Sequence, residues 1–273
     1  MSVRDENVNA ATGESRSCSN SAAKAHDWSA ANSVWFVKSL VVVMAMRAES
    51  TPLVDALGAT PIALDTAMPI EGFQATIRDC LVTIVVNGRH PRHGVDLIGT
   101  DAATITTAYA IENFRPDFVL CAGTAGGRRS SGSQIGEIVV AHERFVYHDR
   151  RIPLPGFQEL GVGSFPSADL SGFALGHGFT LGVISTGNSF GETTDDLKML
   201  DESGAVAIDM ESAAVASVCE LQGVPCGGIR IIANFIDDPE ESPREFEREL
   251  DNAVARLSAV LLQVVDELLA LDK

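Results

Sequence analysis

The chain has 273 residues, 45% of them hydrophobic, which is enough to bury a substantial core in one large α/β domain or two small ones. Asp and Glu outnumber Lys and Arg by 37 to 20, and the net charge of −17 would repel phosphate backbones and anionic lipid. Its apolar stretches are shorter than the ~20 residues that span a bilayer. The composition therefore predicts a soluble protein that binds neither nucleic acid nor a membrane surface.

The cysteines and the N-terminal segment indicate the cellular compartment of the protein. Five cysteines, an odd number without C-x-x-C spacing, favour a reducing cytoplasm. Residues 1–33 are rich in Ser, Asn and Ala and have little to bury, so we expect them to be disordered. The acids Asp5, Glu6 and Glu14 argue against a transit or secretory peptide. One folded domain is expected over residues 34–273.

Strand and helix signals alternate through the first part of this domain. The apolar run at 40–46 predicts a central strand covered on both faces, and Ser50-Thr51-Pro52 predicts the start of a helix. Two β-rich segments at 74–77 and 81–86 precede a tight-turn signal at Asn87-Gly88.

The next helix and strand lead into a glycine-rich segment. Gly99-Thr100-Asp101 caps a predicted helix that ends near Phe114, and a strand follows at 118–121. Residues 122–127, AGTAGG, lack the G-x-G-x-x-G pattern, and no Walker lysine follows them. We interpret them as a turn that lets a ligand approach the backbone closely, without specificity for phosphate.

The second half of the domain continues the alternation. Strands are predicted at 136–142 and 181–186, and residues 150–166, with three prolines, are predicted to form a long loop without regular structure. An acidic loop at 237–242 could act as a lid. The last helix presents one apolar face, typical of packing against a core. This face comprises Phe246, Leu250, Val254, Leu257, Leu261, Val264 and Leu268.

Residues 205–216, AVAIDMESAAVA, predict a buried strand that turns directly into a helix ending at Gln222-Gly223. Asp209 and Glu211 in this turn either grip a polar ligand or stabilise the N-terminus of the helix. A strand at 227–234 follows. The alternation predicts an α/β fold, a three-layer αβα sandwich around a central twisted mixed sheet.

Several strand ends are predicted to meet in one crevice, because open α/β sheets bind ligands at the carboxyl ends of their strands. Arg230 lies in an otherwise apolar strand and needs an acid partner, which Glu49 or Glu211 could supply. Carboxylates, an arginine, an aromatic ring and an amide together suit a sugar joined to a heterocycle. The contributing segments are 46–49, 123–127, 188–190 with 210–211, and 230–234.

Five motifs, in order between residue 40 and the C-terminus, resemble those of the 5′-methylthioadenosine/S-adenosylhomocysteine nucleosidases, particularly the plant type. They are MAMRAE at 44–49, GTAGG at 123–127, HDRRIP at 148–153, STG at 185–187 and DME at 209–211. Several motifs in the correct order are more specific than any one alone. The resemblance implies a nucleoside phosphorylase/hydrolase-like fold, hydrolysis of a purine nucleoside, and no metal or cofactor.

The resemblance also implies a role for each matching residue. Glu49 matches the carboxylate that deprotonates the attacking water, and Arg230 matches the arginine that helps to hold it. Glu211, beside Met210, matches the acceptor of the ribose 2′ and 3′ hydroxyls, which stabilises the oxocarbenium ion. Phe190 falls where the family stacks an aromatic ring on the purine. Further substrate contacts are implied for Met46, Ile98, Thr124, Ala125, Gly126, Asn188 and Asp209.

Two positions depart from the family's pattern. Asn234 stands where the family has an aspartic acid that donates a proton to purine N7, which an amide cannot do near neutral pH. Asn188 likewise replaces an aspartate. A natural substitution, an inactive homologue and an engineered trap all remain open for Asn234. If it is natural, a 6-oxopurine nucleoside should be the better substrate, whereas fast adenine release would mean that another group protonates the base.

The resemblance implies a homodimer, because the HDRRIP motif and the loop after it match the segment that a partner subunit lends to the 5′ pocket. Two other functional classes remain open. A phosphorylase of the same fold would need a basic, glycine-rich phosphate cradle, whereas residues 46–49 carry one arginine and a carboxylate. A nucleoside-binding protein without turnover is the non-enzymatic alternative.

Other candidate sites are weaker. His90-x-x-His93 has no acid or cysteine at a spacing that suits a metal. His148-Asp149 is an acid–base pair but fits a structural role. Ser185 and Ser189 lack a histidine base in sequence context, so a serine nucleophile is not expected.

Overall fold

The computed structural model describes residues 36–238 and 240–270, so the predicted disorder of residues 1–33 lies outside the described residues. No helix within these ranges is both long enough and apolar enough to cross a membrane. The strands are β1 (Ser39–Met44), β2 (Thr60–Ile62), β3 (Glu71–Ile77), β4 (Cys80–Val86), β5 (Phe118–Gly127), β6 (Ile138–Tyr147), β7 (Gly163–Pro166), β8 (Thr180–Thr186), β9 (Ala205–Asp209) and β10 (Cys226–Phe235). The helices are α1 (Arg47–Leu57), α2 (Thr100–Phe114), α3 (Phe157–Val162), α4 (Ser171–His177), α5 (Thr194–Ser203), α6 (Ser212–Gln222) and α7 (Ser242–Ala270).

These strands join one mixed sheet in the order β10-β6-β8-β9-β5-β1-β4-β3-β2, with β7 paired to β6. A further parallel pairing of β10 with β5 closes β10, β6, β8, β9 and β5 into a ring. β1 runs parallel to both β4 and β5, so the centre of the sheet is parallel. The pairings of β2 with β3 and of β3 with β4 are antiparallel.

The side chains of β1 show why a continuous apolar run forms a central strand. Leu40, Val42 and Met44 pack into one hydrophobic core, and Val41 and Val43 pack into the core on the opposite face. Successive side chains of a strand point to opposite faces, so a strand covered on both sides must be apolar throughout. Helices α1 and α7 cover the first face, and α2 and α6 cover the second. The predicted three-layer αβα fold is confirmed.

The last helix packs largely as its sequence pattern predicts. Leu257, Leu261, Val264 and Leu268 are buried in the core that α7 shares with β10 and α1, and Val254 is also buried. The two N-terminal members of the predicted face, Phe246 and Leu250, are half-buried.

Two local boundaries differ from the sequence prediction. The helix predicted to start at Ser50 starts at Arg47, because Glu49 at its third position accepts a hydrogen bond from the backbone N–H of Met46. Pro52 therefore lies inside α1. The tight turn between β3 and β4 lies at Arg78-Asp79, where both residues have positive φ, and Asn87-Gly88 instead leads out of β4.

Two predicted irregular segments have regular structure. The glycine-rich residues 122–127 continue strand β5, because Gly126 and Gly127 pair with the end of β10. Residues 150–166 contain α3 and β7, and β7 is held by pairing to β6 and by the edge-to-face contact of Phe165 with Tyr147 at 5.8 Å.

Candidate active site

A cavity of about 220 Å³ opens where β1, β5, β9 and β10 end. Its size suits a small molecule, and it brings together all the predicted site residues except Arg230 and Asn188. The lining residues are Ala45, Met46, Glu49, Ile98, Thr124, Ala125, Gly126, Ser189, Phe190, Gly191, Glu192, Ile208, Asp209, Met210, Glu211, Asn234, Ile236, Ser242 and Phe246.

Glu49 is held rigidly in the cavity wall by α1 and β5. Its Oε1 accepts hydrogen bonds from the backbone N–H and the hydroxyl of Thr124, at 2.7 and 2.8 Å, and its Oε2 accepts one from Met46 N at 3.2 Å. Burial raises the pKa of Glu49, while the Thr124 bonds and the charge of Arg230 oppose this rise. A buried carboxylate with a raised pKa is a better proton acceptor than an exposed one, which suits a general base.

Of the two roles considered for the acids in the turn after β9, Asp209 stabilises the start of the helix and Glu211 is available to a ligand. Asp209 caps α6, because it accepts hydrogen bonds from the backbone N–H groups of Glu211 and Ser212 and from the hydroxyl of Thr186. Its side chain is fully buried. Glu211 accepts one hydrogen bond from Gly99 N at 2.9 Å; it lines the cavity beside Met210, as Asp209 does, but its side chain is not bound to the start of α6. Burial raises the pKa of Glu211, and Arg230 opposes this rise.

Arg230 lies behind the acids and is 1% exposed. Its Nε pairs with Asp209 at 2.7 Å and its Nη2 lies 3.8 Å from Glu211, so Asp209 is the closest acid partner, which the sequence did not predict. Ser212 Oγ accepts two further bonds from the guanidinium. Arg230 is therefore placed to balance the acids electrostatically, and its predicted contact with the attacking water stays a prediction.

The glycines of β5 make room for the protein's own side chains. A Cβ at Gly123 would overlap Arg230 Nη1 and lie 3.0 Å from Glu49 Oε1, and a Cβ at Gly126 would meet Ile236 at 2.5 Å. The expectation that this segment lets a ligand approach the backbone is wrong for Gly123. Its glycine permits the packing of the buried arginine against Glu49.

Asn234 lies at the end of β10, where a β-bulge shifts the register between Ile232 and Asn234. A bulge re-aims the side chains that follow it. Asn234 is 3% exposed, lines the cavity and donates from Nδ2 to Ser242 Oγ at 2.7 Å. Rotation of the amide by 180° would let the same hydroxyl donate to Oδ1. Asn234 can thus present either an acceptor or a donor to a ligand.

Apolar side chains complete the cavity and remain open to solvent at its mouth. Phe190 is 53% exposed and packs edge-to-face on Phe246 at 5.9 Å, and Ile98 is 49% exposed. Exposed apolar surface beside a cavity is typical of sites that contact a ligand or another protein molecule.

Asn188 does not line the cavity. Its Oδ1 accepts hydrogen bonds from Thr100 N and Oγ1, and its Nδ2 donates to Asp149 Oδ2. It ties the start of α2 to the segment after β6, so a direct contact between Asn188 and substrate stays a prediction.

The sequence did not identify Ser242 or Glu192 as site residues. Ser242 carries a recognisable signal, because Glu245 stands three residues later at the spacing of a capping box, although this signal predicts a helix start rather than a site. Glu192 is a single acid in an irregular segment without periodicity or motif. The acidic loop at 237–242, which was predicted to act as a lid, is fixed near its start, because Asp237 accepts hydrogen bonds from the backbone N–H groups of Arg129 and Ser130.

The weaker candidates do not form a second centre. His90 and His93 contact each other with ring centroids 4.6 Å apart and ring planes tilted by 38°, and the described ranges contain no group of three or more metal-ligating side chains. Ser185 does have a histidine neighbour, contrary to the sequence analysis, because His148 Nδ1 lies 3.0 Å from its Oγ. Both side chains are buried away from the cavity, so the pair fits a structural role.

Known proteins similar to this chain share its fold and much of its length. Residues 39–266 match the phosphorylase superfamily. A 5′-methylthioadenosine nucleosidase of Arabidopsis thaliana is 31% identical over 84% of this chain and 87% of its own length. A 5′-methylthioadenosine/S-adenosylhomocysteine nucleosidase of the same plant is 31% identical over 84% of this chain and 91% of its own. The apo structure of Arabidopsis thaliana 5′-methylthioadenosine nucleosidase has a TM-score of 0.82 and 30% identity, covering 85% of this chain and 96% of that chain.

Proposed function

Because this chain belongs to the phosphorylase superfamily and is a nucleosidase of the 5′-methylthioadenosine/S-adenosylhomocysteine type, we propose that its cavity hydrolyses a purine 5′-thionucleoside, with Glu49 as the base and Asn234 setting which purine leaves fastest. The observation that carries the proposal is the placement of Glu49 and Glu211 in the wall of one cavity, each held by backbone N–H groups.

Glu49 and Glu211 have different roles in the proposed reaction. Glu49 accepts a proton from the water that attacks the anomeric carbon. Glu211 accepts hydrogen bonds from the ribose hydroxyls and stabilises the positive charge that develops as the glycosidic bond breaks. The electron pair of that bond leaves with the purine, which takes up a proton. The products are the free base and the free sugar.

The charges of the cavity wall favour water over phosphate as the attacking group. None of the described lining residues is a lysine, arginine or histidine. Arg230 is buried against Asp209, and Arg47 binds Glu71 at the surface. A phosphate anion would meet Glu49 and Glu211 without a free cation to offset them.

The apolar part of the wall supports a thioether at the 5′ position. Ile98, Ile236 and Phe246 offer hydrocarbon surface and no charge, and such surface favours an alkylthio group over a hydroxyl or a phosphate. Phe190 offers a ring face for the purine.

The amide at Asn234 supports a 6-oxopurine nucleoside as a second candidate substrate. A 6-oxopurine leaving as its N7–H tautomer offers a donor beside the O6 acceptor, and an amide matches this pattern without giving up a proton. The bond from Asn234 Nδ2 to Ser242 leaves Oδ1 available to accept from N7–H.

The test compares two substrates and two proteins. We expect the unsubstituted chain to release adenine from 5′-methylthioadenosine and hypoxanthine from 5′-methylthioinosine, with hypoxanthine favoured. Asn234→Asp should shift the ratio of the two rates towards adenine by about 10²-fold or more, the usual contribution of a positioned general acid. Failure to release either base would overturn the nucleosidase proposal, and an unchanged ratio would remove Asn234 from base selection.

We also propose a homodimer. The residues that follow β6 leave large apolar side chains exposed, which a soluble monomer rarely does over a continuous patch. Leu154, Phe157 and Leu160 are 57%, 55% and 64% exposed. A second copy that covers this segment would protect it from water and could close the mouth of the cavity beside Ile98.

A further inference from the structure

Glu192 is an acid of the cavity wall that the mechanism above does not use. It lies two residues after Phe190, in the irregular segment between β8 and α5. Its Oε2 is shielded from solvent and has no hydrogen-bond partner within the described residues. A buried polar atom without a partner is costly, and a ligand that supplies the missing bond would recover that cost.

The surroundings of Glu192 favour its neutral, protonated form. Burial raises the pKa of Glu192 to about 7, and the charge of Asp196 adds to this rise, while the backbone N–H of Glu192 opposes it. Asp196 in α5 is itself bound by Arg151 at 2.5 Å, so this arginine is engaged elsewhere. The other titratable groups of the described cavity wall are acids as well, namely Glu49, Asp209 and Glu211.

The reaction needs a proton that Asn234 cannot give. Departure of adenine leaves an electron pair on the purine, which must be protonated as the bond to the sugar breaks. Glu49 has the opposite task, since it accepts a proton from water. Of the other acids in the wall, Asp209 is paired with Arg230 and Glu211 is assigned to the ribose hydroxyls. The remaining polar side chains among the described lining residues are hydroxyls and an amide, whose protons are too weakly acidic for this step near neutral pH.

We propose that Glu192 is the general acid of this cavity and donates its carboxyl proton to a ring nitrogen of the departing purine. The terminal torsion of a glutamate is soft, so either oxygen can turn towards the ligand. One proton enters Glu49 from the attacking water and one leaves Glu192 for the base. Exchange with solvent restores both groups, so the sum is hydrolysis. This inference rests on the proposed nucleosidase function.

The test is the pH dependence of adenine release in Glu192→Gln, with Glu202→Gln as the matched control because Glu202 is an exposed acid of α5. A general acid must be protonated, so adenine release by the unsubstituted chain should fall about tenfold per pH unit above about pH 7. Glu192→Gln should lower the rate at pH 6 by about 10²-fold and abolish this alkaline fall. Glu202→Gln should leave both unchanged.

Binding separates a catalytic role from a structural one. Formycin A, an adenosine analogue with a carbon–carbon bond in place of the glycosidic bond, should bind Glu192→Gln within a few-fold of the unsubstituted chain. Unchanged rate and pH profile in Glu192→Gln would overturn the inference, and so would joint loss of turnover and formycin binding. If the unsubstituted chain released no base from any nucleoside, the nucleosidase proposal would fail as well.

Discussion

Arg230 is the cation on which the buried acids of the site depend. Its guanidinium lies 2.7 Å from Asp209 and 3.8 Å from Glu211, and all three side chains are at most 9% exposed. Removing one member of such a buried group leaves an unpaired charge, which usually costs about 3–5 kcal/mol. The arginine therefore holds the acids in place, and the position that makes room for it should be equally sensitive.

Gly123→Ala should destabilise the fold and disturb the site. The added Cβ would overlap Arg230 Nη1, and the arginine cannot move away without leaving Asp209. Overpacking of this kind costs about 1–3 kcal/mol. We expect a lower midpoint of thermal unfolding and a loss of base release. Gly176→Ala is the control, because a Cβ at Gly176 in α4 meets nothing within 4 Å. Equal melting temperatures for the two variants would contradict the conclusion that Gly123 leaves the space that Arg230 occupies.

The contact between β10 and α7 joins the site to the last helix. Asn234 at the end of β10 donates to Ser242, the first residue of α7, and Phe235 N donates to Glu245 at 2.9 Å. The apolar face of α7 then anchors this contact in the core. The orientation of the Asn234 amide in the cavity thus depends on where the helix starts.

Ser242→Ala should change base selection more than stability. Loss of one hydrogen bond costs about 1 kcal/mol, while the freed amide can present either face to the purine. We expect the ratio of adenine to hypoxanthine release to change. Ser203→Ala is a matched control, since Ser203 Oγ donates one bond to Leu200 O outside the cavity. A ratio that Ser242→Ala leaves unchanged would show that Ser242 does not orient Asn234.

Elements with a strong pattern could be predicted from the sequence, and elements held by pairing could not. β1, α6 and α7 carry runs or periodic faces that belong to a single structure. β7 is short and exists because β6 pairs with it, so its sequence alone shows turn residues. The glycine-rich end of β5 was predicted to be a turn because the side chains that fill the space beside its glycines, such as Arg230 at Gly123 and Ile236 at Gly126, lie far along the chain.

The site residues that lie in motifs could also be predicted from the sequence, whereas their contacts in space could not. The motifs located Glu49 and Glu211, and the departure from the family's pattern located Asn234; all three residues line one cavity. Of the two acids predicted to pair with Arg230, Glu211 lies 3.8 Å away, but the nearer partner Asp209 was missed because spacing does not show which acid lies nearest in space. The bulge that re-aims Asn234 depends on the register of β10 against β5, which no local pattern shows.

The exposed apolar side chains Leu154, Phe157 and Leu160 predict that the protein forms a homodimer. Phe157→Asp places a charge at the centre of the proposed interface, so we expect a dimer to become a monomer in light scattering and the KM for nucleoside to rise. Leu175→Asp is the control, because Leu175 is 72% exposed on α4 and lies outside this segment. A monomeric unsubstituted chain with full ligand affinity would contradict the proposed dimer.

The activation of water by Glu49 is tested most directly by the phosphate dependence of adenine release from 5′-methylthioadenosine. We expect the unsubstituted chain to release adenine at the same rate with and without phosphate and to yield the free sugar. Glu49→Gln should lose at least about 10²-fold of that rate while it still binds formycin A, because an amide keeps the shape but cannot accept the proton. Release that requires phosphate and yields a sugar phosphate, or near-full activity in Glu49→Gln, would contradict the role of Glu49 as the base that activates water.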